Sequence, residues 1–312
     1  MSPLIHIGYH KTATTWMQAQ LFTPAHGYRM LVDHPEIFAH ITRPHGLVFD
    51  PAPMRALIAE RSAGLPEGHV AVLSSEIISG HPFYGGQMSD TYAHRVKAIA
   101  PEAKILVSIR SQQKILPSVY MQYLLRGGTM PYDMFFAGTH EPGYLGFDAL
   151  HFEYDRLVGL YQQLFGAENV YVMTQESLIA DMDGACLGVA RFAGNTVFDG
   201  ISEAARKARG VSYPEYAVGA LRRVNQVQRS TLNPAPILAL GETPGGLYRG
   251  IGYVMKRPPF RTLLAGRKPV SDYVKQHFSG HFATSNARLA ATLAHPIDLS
   301  RYDLSRTAQA AE

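Results

Sequence analysis

Short apolar runs and helical patterns alternate through the first half of the chain. Ile5 to Gly8 is a compact apolar run that predicts a strand, and Thr14 to Leu21 follows it with helical spacing that stops before Pro24. A second helix is predicted from Pro53 to Arg61, with proline in its first turn and Gly64 beyond its end. His69 to Leu73, with VAVL at its centre, predicts a buried strand that runs into Ser74, Ser75 and Glu76. Helical spacing returns from Thr91 to Ile99, ahead of another buried strand from Lys104 to Ile109. A long amphipathic helix from Phe147 to Leu164 then leads into a strand from Asn169 to Met173. Strands alternating with helices predict an α/β fold, with a central parallel sheet of about five strands flanked by helices. Ligands of such sheets bind outside the carboxyl ends of the strands, which here are Gly8 to Thr15, Ser74 to Glu76, and Arg110 onward.

From Asp181 the pattern is mostly helical, including Pro214 to Val227 and Phe282 to Leu293, and no internal repeat occurs. The stretch from Asn233 to Pro269 is rich in proline and glycine and reads as an elaborated loop or lid within a single domain spanning residues 1–312. Within it Arg249, Lys256, Arg257, Arg261, Arg267 and Lys268 accompany Tyr248, Tyr253 and Phe260, with no carboxylate between Tyr248 and Lys268. The tail after Leu304 is small and polar and reads as frayed.

Composition narrows the class. A chain of 312 residues with 46% hydrophobic and 17% charged positions can bury a substantial core and is not a disordered or fibrous sequence. A net charge of +4 suits an anionic ligand but falls short of a nucleic-acid-binding signature. One cysteine, Cys186, excludes an internal disulfide and a cysteine-rich metal site, and points to a reducing compartment, the cytoplasm. The first strand begins almost at once, leaving no room for a signal peptide, and no apolar run reaches the roughly eighteen residues of a membrane span.

The stretch Leu4 to Gln18, LIHIGYHKTATTWMQ, runs from the first strand through a glycine-containing turn with one lysine into a helix that opens on hydroxyl residues. Backbone N–H groups and the positive end of a helix converge at such a turn, which predicts a phosphate cradle. Lys11 adds a mobile cation, and Thr12, Thr14 and Thr15 add short hydroxyl donors. The loop of nucleoside triphosphatases reads G-x-x-x-x-G-K-[ST]. Here Gly8 is followed two residues later by His10, Lys11 and Thr12, and Ala13 follows the Lys-Thr pair without a second glycine. The shorter loop favours a different phosphorylated donor. Lys104 to Arg126, KILVSIRSQQKILPSVYMQYLLR, predicts a second anion site, with Arg110 at a strand end and Ser118 about two turns into the next helix. Two anion sites at neighbouring strand ends suit a nucleotide phosphorylated at both its 5′ and 3′ positions.

These segments resemble the sulfotransferases that use 3′-phosphoadenosine-5′-phosphosulfate (PAPS), and bacterial carbohydrate-type members in particular. HIGYHKTATTWMQ is similar to their 5′-phosphosulfate loop, and SIRSQQKILPSVYMQ to their 3′-phosphate motif, with Arg110 and Ser118 in the matching positions. LSSE before the second motif, VYVMTQESL after it and SNARLAATL near the C-terminus resemble recurring elements of the family, so the likeness spans most of the chain. Ala13 stands where many members have glycine, a change the loop tolerates if that residue has a negative φ. No segment matches the histidine-containing one typical of cytosolic sulfotransferases, which directs the acceptor away from small phenols and steroids. The resemblance implies a P-loop-type three-layer fold, PAPS as sulfuryl donor with no metal required, and an acceptor hydroxyl on a carbohydrate, glycolipid or polyhydroxylated metabolite.

In that scheme His10, Lys11, Thr12, Ala13, Thr14, Thr15 and Trp16 hold the 5′ side of the donor, Arg110 and Ser118 hold the 3′ phosphate, and Lys11 stabilises the leaving phosphate. Thr14 and Thr15 suit a helix-capping role as well, and Trp16 suits either adenine or packing between helix and sheet. Glu76 is the expected general base because it follows a buried strand beside both anion motifs; Glu36 and His34 are the alternatives. His10 orients a ligand or fills the loop, His6 packs against the sheet, and His81 stands at the acceptor mouth or in an ordinary loop. Tyr120, Met121 and Tyr123 divide between core and ligand contacts. Arg206, Lys207 and Arg209, ahead of Val211 and Ser212, suit a loop to the nucleotide or a solvated helix end. Two other functions compete: a magnesium-dependent kinase using ATP, and a non-catalytic protein that meets anionic lipid through Tyr248 to Lys268, a stretch in which the sequence gives no clean amphipathic helix.

Overall fold

The computed structural model describes residues 2–138, 145–207 and 213–304. Five strands form one parallel sheet in the order β2-β3-β1-β4-β5, made of β1 (Leu4–His6), β2 (Tyr28–Met30), β3 (Val70–Ser74), β4 (Lys104–Ile109) and β5 (Val170–Thr174). Alternate side chains leave opposite faces of a strand, and both faces are apolar here. Ile5, Leu73, Ile105, Val107 and Val172 enter one core cluster, while Leu4, Val72, Leu106 and Met173 enter a second on the other side. The sheet therefore carries helices on both faces, as the alternation of strands and helices predicts.

The first ten helices alternate with the strands or cover them. They are α1 (Thr14–Trp16, continued by a π-helical turn through Leu21), α2 (His34–Ile37), α3 (Ala52–Ser62), α4 (Ser89–Ile99), α5 (Gln112–Leu125), α6 (Tyr132–Ala137), α7 (Tyr154–Phe165), α8 (Gln175–Ala180), α9 (Met182–Ala193) and α10 (Glu203–Lys207). The remainder is helical, with α11 (Val218–Asn225), α12 (Gly246–Met255), α13 (Phe260–Leu264), α14 (Pro269–Phe278) and α15 (Ala283–Thr292). Leu157, Val158, Tyr161 and Phe165 form the buried stripe by which α7 packs on α4, α15 and the sheet.

Three expectations change. β2 is an edge strand of three residues, Tyr-Arg-Met, paired from Tyr28 opposite Val70, and offers no apolar run for a sequence reading to find. The helix expected from Phe147 starts only at Tyr154, because Asp148 accepts from Leu150 N at 2.9 Å and closes a 3₁₀ turn at Ala149–Phe152 instead. The stretch read as a loop or lid contains α12 and α13, and α12 has a defined buried face. Tyr248 and Gly252 are buried on its inner face, where a Cβ on residue 252 would lie 2.0 Å from Tyr213 Cε1. The expectations for Arg209, Val211, Ser212 and the tail after Leu304 lie outside the described residues.

Candidate active site

The central strand β1 carries the glycine-containing loop at its C-terminal end. Pairing with the neighbouring chain continues beyond the strand, as Ile7 N donates to Leu106 O and Tyr9 N to Ser108 O. Gly8 sits at their closest approach: a Cβ there would lie 1.9 Å from Ser108 Oγ and 2.6 Å from His6 Nε2. Beneath the loop a buried polar chain joins three strand ends. Thr12 Oγ1 donates to Tyr9 O at 2.6 Å and lies 2.7 Å from Ser108 Oγ. His6 places Nε2 2.9 Å from Ser108 Oγ and Nδ1 2.8 Å from Ser74 Oγ. Each hydroxyl has one proton, so the order of donation follows from its fixed end at the Tyr9 carbonyl. Ser108 donates to Thr12, His6 Nε2–H to Ser108, and Ser74 to His6 Nδ1. Burial pushes the His6 pKa down to about 3, so the ring is neutral, and it is this that leaves Nδ1 as the acceptor from Ser74. The sequence assigns the Thr12 hydroxyl to the donor; the structure instead uses it in the floor of the loop.

Above this floor Lys11 and Ala13 both have positive φ, 70° and 69°. The condition under which alanine would be tolerated at position 13, a negative φ, is therefore not met, and its Cβ holds a left-handed conformation at a cost of roughly 1–2 kcal/mol. Lys11 lines a cleft of about 540 Å³, within the range of small-molecule and cofactor sites. Arg110 from the end of β4 and Ser118 from α5 line the same cleft, together with Met121, Lys114, Lys268 and Lys275. Arg110 Nη1 donates to Ser118 Oγ at 3.0 Å, so fork and hydroxyl form one unit.

That unit is braced from behind. Tyr154 OH donates to Arg110 O at 2.6 Å, Ser111 N donates to Glu176 Oε1 at 3.1 Å, and Tyr302 OH donates to Glu176 Oε2 at 3.2 Å. Gln112, which opens α5, donates to Asn286 Oδ1 on α15 at 2.8 Å. The VYVMTQESL and SNARLAATL segments thereby hold the arginine through Glu176 and Asn286. Burial lowers the pKa of Lys11, and the Arg110 charge lowers it further; burial also lowers that of Arg110, with Glu176 partly opposing. Neither cation has an ion-pair partner among the described residues. Of the three carboxylates in the cleft, Glu215 is bound by Ser271 N and Oγ, Asp303 by Gly280 N, and Asp272 in the first turn of α14 forms no ion pair with Lys11 or Arg110. Two desolvated cations side by side form a site whose charge an anion completes.

Other members of the expected donor set lie elsewhere. Thr15 is exposed beside Lys11, while Thr14 is buried in the first turn of α1. Trp16 is half-buried against the second core cluster and donates from Nε1 to Ala205 O at 2.9 Å, so it packs between helix and sheet rather than lining the cleft. Tyr120 is core, and Tyr123 OH accepts from Met130 N. A larger cavity of about 630 Å³ lies near α9 and α10, but its guanidinium, Arg206, is held in a bidentate pair with Asp183.

On the β3 side of the loop, Glu76 is half-buried at the start of a 3₁₀ turn, with Gln18 Nε2 3.5 Å from its Oε2. The sheet order places it across β1 from Arg110, and it does not line the Lys11 cleft. Glu36 is unsuited to proton transfer, because the Arg61 guanidinium binds both its oxygens at 2.8 and 2.7 Å and holds its pKa near about 2, with Asp33 N adding a capping-box bond. His34 is exposed, its Nδ1 2.7 Å from Ser75 Oγ. His10 is buried with its ring 5.7 Å from that of His81, and burial, then His81, His151 and His34, hold its pKa well below the ordinary value. Burial and Arg126 bring His81 to about 4. Sequence reasoning missed His151, which packs 4.9 Å from the Tyr9 ring and lies in an irregular segment with no periodic signal. Neither His10 Nδ1 nor His151 Nε2 has a hydrogen-bond partner among the described residues.

Neither a family model nor a curated protein matches this chain. Among solved structures it is similar to a sulfotransferase from Alicyclobacillus acidocaldarius, at 19% identity and a TM-score of 0.49, with 75% of this chain and 94% of that one covered. It is also similar to mouse sulfotransferase SULT7A1 complexed with PAP, at 12% identity and a TM-score of 0.36, with 88% and 89% covered. The functional reading rests on the cleft and its side chains rather than on these likenesses.

Proposed function

We propose that this chain moves a sulfuryl group from PAPS to an acceptor hydroxyl carried by a carbohydrate, glycolipid or polyhydroxylated metabolite. The supporting observation is the meeting of Lys11, Arg110 and Ser118, from a loop, a strand end and a helix, in one cleft whose carboxylates, Glu215, Asp272 and Asp303, form no ion pair with either cation. The bound donor would supply an activated sulfuryl group on a phosphate. Arg110 and Ser118 hold one phosphate of a doubly phosphorylated nucleotide, and their bracing through Glu176 and Tyr154 fixes its far end. Lys11 puts positive charge where the departing phosphate gains negative charge, in a partly desolvated site where that charge acts strongly.

The acceptor oxygen bonds to sulfur as the bond from sulfur to the phosphate oxygen breaks, and the hydroxyl proton passes to a base on the β3 side. Glu76 takes that role, since Glu36 is held ionised by Arg61. His10, neutral and next to Lys11 in the chain, has a buried Nδ1 without a partner among the described residues and orients the hydroxyl once the acceptor is bound. Calorimetric titration with adenosine 3′,5′-bisphosphate in the absence of magnesium tests the donor half. Tight binding is expected; no binding, alongside tight binding of magnesium-ATP, would replace this reading with a kinase. A screen of hydroxylated acceptors with labelled donor tests the other half.

A further inference from the structure

Apolar residues occupy both faces of α12. Folding accounts for the inner one, where Tyr248 is fully buried and Gly252 meets Tyr213. Leu247 and Val254 fall on the outer face with Gly250 between them, at the spacing of one helical stripe, and Tyr253 adjoins them at 55% exposed. α13 packs against α12 and exposes Phe260 and Leu263, the latter 75% exposed, and Ile237 in the preceding loop is 92% exposed. Single exposed apolar residues need no explanation, but a group of them on one small helical unit marks an interaction surface.

Charge selects the partner. Arg249, Arg257, Arg261, Arg267 and Lys268 are exposed on the same unit, and none has an ion-pair partner among the described residues. The sequence has no carboxylate from Thr243 to Lys268; Glu242 and Asp272 bound the patch. A second copy docking face to face would set these cations against their own kind. An anionic bilayer offers phosphate charge to the arginines and an apolar layer just beneath it to the leucines and phenylalanine. Arg257 lies over the Tyr253 ring at 3.9 Å, a pairing suited to the headgroup level. Among the described residues no helix is long and apolar enough to cross a membrane, so the contact is in the interface plane.

We propose that α12, α13 and the Ile237 loop form a docking surface for anionic phospholipid. The test is flotation of the full chain with vesicles of phosphatidylcholine alone and with about one third phosphatidylglycerol. Binding to the second and not the first is expected, weakening as salt shortens the Debye length from about 10 Å toward about 3 Å. Each cation at the surface is worth roughly fivefold in partitioning, so R249E/R261E should bind at least about 25-fold more weakly. L247S/L263S should also lose binding, and both variants should bind adenosine 3′,5′-bisphosphate as the unaltered chain does, which separates failure here from failure of the donor reading. Absence of binding to the anionic vesicles, or unaltered binding by R249E/R261E, would overturn the proposal. So would a concentration-dependent dimer in sedimentation velocity that L247S/L263S abolishes, which would assign the face to a second copy.

Discussion

Replacing Arg110 with alanine should separate ligand affinity from stability. In the free protein Arg110 is a cation partly removed from water, next to Lys11, and its folded pKa is lowered by burial, so its charge does not favour the native state. Its removal also spares the bracing around it, because Tyr154 OH bonds the backbone oxygen of residue 110 and Glu176 bonds the backbone of Ser111. The unliganded variant should therefore unfold within about 1 kcal/mol of the parent. A charge-assisted bond from guanidinium to phosphate is worth about 2–3 kcal/mol, so adenosine 3′,5′-bisphosphate should bind roughly 30- to 150-fold more weakly. At a ligand concentration of about 100 times the parent dissociation constant, ligand stabilises the parent by about 2.7 kcal/mol and a variant weakened about 100-fold by only about 0.4 kcal/mol. Thermal melts should show an upward shift of about 4 °C for the parent and well under about 1 °C for the variant. Calorimetric affinity within about threefold of the parent, or a collapse of the unliganded melt, would refute the assignment of Arg110 to the ligand rather than to the fold.

Three further outcomes follow from the same geometry. Ala13→Gly should relieve the left-handed strain and raise stability by about 0.5–1 kcal/mol in urea unfolding, net of the flexibility glycine adds to the unfolded chain; destabilisation would mean the Cβ is packed usefully. Glu76→Gln should lower turnover sharply with unchanged bisphosphate affinity, whereas Glu36→Gln should act on stability through Arg61; full activity in Glu76→Gln would move the base elsewhere. His6 and His151 are depressed from 6.5 to about 3, so below pH 6.5 the unfolded chain takes up protons the native state refuses, and stability falls as pH drops. These two should contribute about 4 kcal/mol to the loss between about pH 7 and about pH 5, beside the likewise depressed His10 and His81, and His151→Phe should lessen the loss by about 2 kcal/mol in urea unfolding.

The strands with unbroken apolar runs were legible because a strand buried on both faces has few polar positions: Lys104 to Ile109 is found where expected, and β1 and β3 are each shifted by about one residue. β2 was not legible, since an edge strand of three residues carrying Arg29 has no such run. In the candidate site, the nearness of Lys11, Arg110 and Ser118 was legible because each stands at a strand end or one helix beyond it. What escaped was whatever depends on contacts between distant segments. The inward turn of Thr12, the withdrawal of Trp16 to Ala205 and the closeness of His151 to Tyr9 are set by packing, for which local spacing holds no signal.

The neutral floor gives the site its polarity. A protonated His6 would put a third positive charge below Lys11 and Arg110, buried and with serine hydroxyls rather than a carboxylate as its side-chain partners, and would raise the free energy of the empty loop. By anchoring one end of the hydroxyl chain on the Tyr9 carbonyl, the fold commits Ser108 to donate to Thr12 and leaves His6 as a donor at Nε2 and an acceptor at Nδ1. His6→Phe should then disturb more than packing: Ser74 and Ser108 would each lose a partner, at about 1–3 kcal/mol apiece. His6→Asn, which can still accept and donate, should recover part of that loss in urea unfolding. If the two variants were equally destabilised, the hydroxyl chain would be incidental to the shape of the loop.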